Sequence, residues 1–437
     1  MVRTRDTGET VQEFARRFVD GAFDEMADLL TEDGRDAVVE SFPTDFQQGP
    51  MDAEDAFEQY WWGLYGQYGP PVGVDELAVE GADATVDCSE ATITLEFEED
   101  TETAHLEVDN GGIAAFSFSP AYRTPGYVDE NGFDERDVTV DAGDVELDGI
   151  CTVPDGDGPF PAVVFVHGAG VHDPDGTVGA SKLLRDVAWG LASEGIASLR
   201  YESRLAAHEV DDENHTLDTV VVDDAVASVE TLAATERVDE DAVFVAGHSQ
   251  GGMAAPRIAD RHGGVAGVVS LDGSPESTLA PEHADIIRYE FERDGDLDEE
   301  QEAQLEEDRE TLRRIRAGEF DDDETIMGRP GTWHRSLNEY DPKATASGLH
   351  VPLYVANTFL ADEEAQPEVA SFLRDRVEAW KTAGLPGGSS VKLYEGVDHF
   401  FQEGHAPKTP LSLYFGGTVT EDLVTDSAAW IHDVAML

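Results

Sequence analysis

The sequence predicts an α/β protein: a doubly wound, mostly parallel sheet with a helical cap insertion, preceded by a small α+β domain. Three observations carry this expectation. From residue 137 onward, apolar strand-like runs alternate with amphipathic helical stretches. A charged segment at about 275–340 interrupts that alternation. Before residue 120, helices come first and short alternating strands follow, the order of an α+β unit and not of a βαβ repeat.

The chain has 437 residues, of which 40% are hydrophobic, enough for a sizeable core and for more than one domain. Asp and Glu number 94 against 28 Lys and Arg, a formal net charge of −66. A field of that sign repels nucleic acid and anionic membrane surfaces, which excludes both as partners. The acids are spread along the whole chain and Lys is scarce, the composition of a solvated surface built for high salt. It resembles the proteins of salt-in halophiles. Cys88 and Cys151 are far apart, with no C-x-x-C motif and no neighbouring His pair, so neither a disulfide framework nor a zinc site is expected. The N-terminal "MVRTRDTGET" is followed by no apolar h-region, and no run approaches about 18 apolar residues. The expected location is the cytoplasm.

The elements follow in order. Val11, Phe14, Ala15, Phe18, Val19 and Phe23, then Met26, Leu29 and Leu30, recur at helical spacing. A further helix is expected over Ala53–Tyr65, with the Trp61, Trp62 and Leu64 cluster facing a core. The runs "ELAVEG", "ATVDCSEATITLEFEED" and "TAHLEVDNGGIAAFSFS" read as alternating strands, completing an accessory domain over 1–119. The Pro-, Gly- and Asn-rich stretch 120–136 reads as a linker to a second domain over 137–437. There "DVTV" and "VELDGICTVP" form an antiparallel pair, and "PAVVFVHGAG" is a strand buried on both faces. Helix "KLLRDVAWGLASEG" then precedes strand "IASLRYE", "LDTVVVDDAVASVETLAA" precedes "AVFVAG", and "MAAPRIADRHG" precedes "VAGVVSLDG". In the charged segment, Leu297, Leu305, Leu312 and Ile315 mark a thin apolar stripe, so it is expected to be helical, partly exposed and mobile. "VPLYVAN", "EVASFLRDRVEAW", "SVKLYEG" and "VTDSAAWIHDV" complete the alternation.

In such sheets, ligands bind beyond the carboxyl ends of the strands. Ser249 stands there, in Gly247-His248-Ser249-Gln250-Gly251 between a buried strand and a helix. That context is a nucleophile elbow: a tight turn forces the serine into strained backbone geometry and aims the helix N-terminus at charge forming on Oγ. "VHGAG" ends the earlier central strand and supplies a second set of N–H groups, so Ala169 and Gln250 N–H are the expected oxyanion donors. His167 and His248 read as packing residues. A serine needs a base, and His399 in "YEGVDHFF" follows the last predicted strand, where the order Ser…acid…His requires it; His405 lies further along that loop. The acid is expected after strand "VPLYVAN", at Asp362, with Glu363 and Glu364 adjoining. Asp272, ending "VVSLDG", is the alternative. In a chain with 94 acids, a carboxylate in a given loop says little.

With "VVFVHGAGVHDPDG", "GHSQGGMAAPRIA", "IRYEFE" entering the cap and "LYEGVDHFF" in this order, the chain resembles the α/β-hydrolase superfamily. It further resembles two-domain hydrolases with a DUF3887-like N-terminal domain, on "FVDGAFDEMADLL" and "WWGLYGQYG". The resemblance implies a serine hydrolase of carboxylic esters or related acyl compounds, acting on a small-molecule substrate without metal or organic cofactor. It implies Ser249 as nucleophile and His399 as base. Where such chains carry Q-G-x-x-D-Y-Q-V, this one reads "ANTFLADEEAQP", and Asp362 fits only with about two inserted residues. Peptidases, thioesterases and acyltransferases share the same triad, so the substrate bond stays open. A non-catalytic binding protein on the same scaffold is expected to lack the serine or the histidine, and both are present.

Overall fold

The computed structural model describes residues 7–47, 49–80, 88–293 and 295–436. The chain divides into two compact units. The first comprises Met1–Arg123 together with Val178–Ser181 and Gly404–Gly417. Helices α1 (Thr7–Asp20), α2 (Phe23–Ala27), α3 (Glu32–Ser41) and α4 (Ala53–Tyr68) precede four antiparallel strands. These are β1 (Pro71–Glu80), β2 (Cys88–Phe97), β3 (Thr101–Asp109) and β4 (Gly112–Phe118), in sheet order β1-β2-β3-β4. The alternation read from the sequence is realised in β3, where Ala104, Leu106 and Val108 are buried and His105 and Glu107 face out. The helix starting at Ala53 is fixed by a capping box between Asp52 and Asp55, which satisfies two of the N–H groups a helix start leaves unpaired. Phe14, Phe57 and Phe116 meet at ring centroid distances of 5.3–5.4 Å in the core. Tyr60 and Leu64 are fully buried, whereas Trp61 and Trp62 are half-buried, so the inward face of α4 is not the tryptophan pair. Leu411 and Phe415, about 300 residues further on, complete this core.

The second unit comprises Thr124–Thr177, Lys182–Glu403 and Thr418–Leu437. Its strands are β5 (Phe133–Asp141), β6 (Glu146–Pro154), β7 (Phe160–Val166), β8 (Ala197–Tyr201), β9 (Val238–His248), β10 (Gly267–Leu271), β11 (Leu353–Phe359) and β12 (Ser390–Glu395). The sheet order is β12-β11-β10-β9-β7-β8-β6-β5, parallel from β12 to β8 and antiparallel where β6 and β5 join. The crossovers include α5 (Leu183–Ser193), α6 (Asp223–Ala233), α7 (Gln250–His262) and, after the insertion, the helix Pro367–Lys381. Strand β7 is nearly continuous apolar sequence because both its faces are covered; Ala162 to Val166 are all fully buried. One face of the sheet packs on Val221, Val229 and Ile258, the other on Leu183, Val187 and Ile431.

Between β10 and β11 lies the helical insertion, with α8 (Ala284–Phe291), α9 (Glu299–Ala317), α10 (Gly331–Asn338) and α11 (Pro342–Gly348). Helix α9 opens on an Asp298–Gln301 capping box, and Leu305, Leu312 and Ile315 of the expected apolar stripe are buried. The helix Pro367–Lys381 is α12, and α13 (Glu421–Ala435) closes the chain. No helix among the described residues is long and apolar enough to cross a membrane.

Strand register places the chemistry. Val166 pairs with Gly247, His248 with Leu271, and Leu271 with Ala356. The carboxyl ends of β7, β9, β10 and β11 therefore finish side by side, and the loops that leave them share one edge.

Candidate active site

Ser249 sits between β9 and α7 with φ 55° and ψ −115°, a conformation L-residues avoid at a cost of about 1–3 kcal/mol. Its side chain makes no capping bond, so a purely structural N-cap does not account for it. Tight packing holds the turn. A Cβ on Gly247 would lie 2.2 Å from the Gly251 carbonyl carbon, and one on Gly251 would lie 2.5 Å from the Val166 carbonyl oxygen. Strand, elbow and helix thus touch backbone to backbone, which only glycine permits. The Ser249 N–H donates to the Leu271 carbonyl and its own carbonyl accepts from Met253 N–H, each at 2.9 Å.

The structure brings His399 to Asp272, not to Asp362. His399 Nδ1 and Asp272 Oδ2 are 2.5 Å apart. Since an ionised carboxylate only accepts, Nδ1 donates, and Nε2 is left with a free lone pair. Asp272 is about 2% exposed and also adopts a positive φ, 51°. Its Oδ1 accepts from Thr358 N–H at 3.1 Å, and Arg376 of α12 reaches both its carboxylate and its carbonyl. Burial alone would raise its pKa. The Arg376 charge, the His399 bond and the Thr358 N–H together outweigh burial and hold the carboxyl well below the usual range, so Asp272 is ionised throughout the neutral region.

Asp362 spends its carboxylate within its own turn, accepting from Glu364 N–H at 2.9 Å and Ala365 N–H at 3.1 Å. Glu363 pairs with Arg374. The physical reason is local: after β11 the chain turns at once into α12, and Asp362 is used to start that turn. His405 belongs to the first unit, where it pairs with Glu99 at 3.1 Å.

Two features not foreseen present the histidine. Asp398 Oδ1 accepts from Phe400 N–H at 2.8 Å and Gln402 N–H at 3.0 Å, folding the turn that displays His399. His248, expected to be a packing residue, donates Nε2–H to the His399 carbonyl at 2.9 Å, with ring centroids 4.7 Å apart. Burial, then the neighbouring His399, pushes its pKa down to about 3, so it stays neutral. The sequence signal for the first is the Asp immediately before His399; nothing in the sequence announces the second.

The turn after β7 lies against the elbow, since a Cβ on Gly168 would stand 3.4 Å from Ser249 Cβ. His167 Nδ1 donates to the Gly168 carbonyl at 3.0 Å, and burial pushes its pKa down to about 4. The peptide whose carbonyl is held this way carries the Ala169 N–H at its other end. His172 Nε2 donates to the Ala169 carbonyl at 2.8 Å and fixes the next peptide. The Gln250 N–H is the first of α7, one of the donors a helix leaves without an intrahelical acceptor.

A strained serine at a strand–helix elbow, with a histidine–carboxylate pair carried by the loops after β10 and β12, defines the α/β-hydrolase class. The family model and a sequence relative agree. Residues 163–409 match the alpha/beta hydrolase family. Over 348 residues the chain is 32% identical to Esterase EstD of Thermotoga maritima, covering 77% of this chain and 78% of that one. Among solved structures, the esterase of Pyrobaculum calidifontis covers 70% of this chain and 87% of its own, at 18% identity and a TM-score of 0.44. Est1E of Butyrivibrio proteoclasticus with bound ferulic acid covers 69% and 100%, at 17% identity and a TM-score of 0.42. The chain belongs to the alpha/beta hydrolase family and is an esterase-like hydrolase within it.

Proposed function

We propose that the protein hydrolyses carboxylic esters of small molecules through a Ser249–His399–Asp272 triad and an acyl-enzyme. The reading rests on the 2.5 Å bond from His399 to a buried, ionised Asp272 beside the strained Ser249. The kinship with an enzyme named as an esterase supports the choice of bond. His399 Nε2 takes the Ser249 proton as Oγ attacks the acyl carbonyl, and Asp272 steadies the imidazolium. The N–H groups of Ala169 and Gln250 hold the oxyanion, each such donor contributing about 10²–10³ in rate. His399 returns the proton to the leaving alcohol, and water, activated in the same way, releases the acid and restores Ser249. The charged insertion shapes the acyl pocket. The first unit is read as a DUF3887-like accessory domain, supported by its helices backing one antiparallel sheet. The acid-rich surface is read as salt-adapted, supported by the net charge of −66.

A panel of p-nitrophenyl esters of increasing chain length, with matched thioester and anilide, tests this at low and at molar KCl. Expected are ester turnover above both alternatives, and higher activity in molar KCl. Preferred turnover of the thioester or the anilide overturns the ester assignment. No turnover of any of them by folded protein overturns the hydrolase reading.

A further inference from the structure

We propose that Arg376 is a positioning residue that sets the basicity of His399 by sharing the carboxylate on which that histidine rests. The proposal depends on the Ser249–His399–Asp272 reading above. Arg376 lies on α12, outside every strand-end loop, and its side chain is 12% exposed. Its Nη2 donates to the Asp272 carbonyl at 2.6 Å and stands 3.1 Å from Oδ1, while Nη1 stands 3.3 Å from Oδ2. Oδ2 is the oxygen that accepts from His399 Nδ1. Guanidinium and imidazole therefore draw on one oxygen from two sides.

The consequence follows from charge. A buried carboxylate alone favours the protonated form of an imidazole that rests on it, and a cation against that carboxylate opposes this. With the guanidinium against it, the net charge behind the imidazole is near zero. The guanidinium also borders a cavity of about 370 Å³, beside Phe372, His283, Leu279 and Ile286. His248 lies against His399, and burial keeps it neutral. His283 lies on the Arg376 side, and burial followed by the Arg376 charge lowers its pKa. Of the carboxylates around the cavity, Glu276, Asp285 and Glu368 are paired with Arg316, Arg309 and Arg288, and Glu282 and Asp375 complete the rim. Arg376 is the cation in contact with Asp272.

The test is the pH dependence of kcat/KM for p-nitrophenyl butyrate in wild type, Arg376→Gln and Arg376→Lys. One unit charge a few ångströms beyond the carboxylate, at an effective dielectric of about 20, moves a neighbouring pKa by about one unit or more. The glutamine variant is expected to shift the acid limb upward by about one pH unit. The lysine variant is expected to keep the limb within about 0.3 unit while lowering kcat through its lost second prong, with KM changing less than about threefold in both. Should the glutamine variant not fold, Arg376→Met supplies the uncharged arm. A limb unmoved in the uncharged variant, with kcat reduced equally in both, makes Arg376 a structural tether and overturns the proposal. Fluorophosphonate labelling of the same proteins separates the two failures: an unlabelled wild type overturns the triad reading, and a labelled wild type with an unmoved limb overturns only the role of Arg376.

Discussion

Asp272→Asn is the substitution that probes the site most sharply. The amide is isosteric, so what it removes is charge and tautomer control. Opposite charges with centres about 4 Å apart, at an effective dielectric of about 20, interact by about 4 kcal/mol, or about 10³ in kcat. An amide can also present its NH₂ to the imidazole and reverse the tautomer, which brings the expected loss to about 10³–10⁴. Asp272 additionally neutralises Arg376, and leaving that buried cation unpaired costs about 3–5 kcal/mol of stability. The rates must therefore be taken on folded protein, counted by circular dichroism and active-site titration. Asp362→Asn is the matched control: its carboxylate serves only its own turn, so kcat is expected within about twofold of wild type. A thousandfold loss in Asp362→Asn with Asp272→Asn near wild type would refute the reasoning.

Two further outcomes follow from the packing and from the buried histidines. Gly251→Ala places a Cβ 2.5 Å from the Val166 oxygen and 2.6 Å from the His167 oxygen, so about 3 kcal/mol or more of stability and nearly all activity should be lost; Gly387→Ala, with nothing within 4 Å, should cost less than about 0.5 kcal/mol in the same denaturant titration. His248 and His167 have folded pKa values of about 3 and about 4, below the unfolded value near 6.5. The unfolded chain therefore binds more protons between about pH 6 and 4.5, and stability should fall there as pH falls, by up to about 2.7 kcal/mol per unit for the two together. Urea titrations at pH 7, 6 and 5 check this, with His248→Gln expected to halve the slope; an unchanged slope in that variant contradicts the assignment.

The sheet was legible because its strands are apolar runs of β-branched residues at helix-separated intervals, a pattern a doubly wound fold imposes on any chain that adopts it. The elbow was legible for the same reason: Gly247 and Gly251 are demanded by backbone contacts one turn long, and Ser249 stands between them. The acid was not. Choosing between Asp272 and Asp362 requires knowing which strand-end loop comes within reach of His399, and an acid-rich chain offers carboxylates in both. Asp272 ends a strand directly beside β9, whereas the turn around Asp362 consumes its own carboxylate. Arg376 was hidden for a related reason, since "SFLRDRVEAW" reads as an ordinary charged helix until α12 is seen packed on β11 and β12 with Arg376 and Trp380 reaching the carbonyls of Asp272 and Gly273. The positive φ angles at Ser249, Asp272 and Phe401 belong to the same class of information. They are set by long-range packing, and three of them gather where chemistry is expected.

The central claim is that Ser249 is a nucleophile activated by His399. Mass spectrometry of the protein after treatment with a fluorophosphonate tests it most directly. One adduct is predicted, on the peptide carrying Gly247-His248-Ser249-Gln250-Gly251, absent from Ser249→Ala and slowed by about 10³ or more in His399→Ala. An adduct on another residue, or none on folded wild-type protein, contradicts the account.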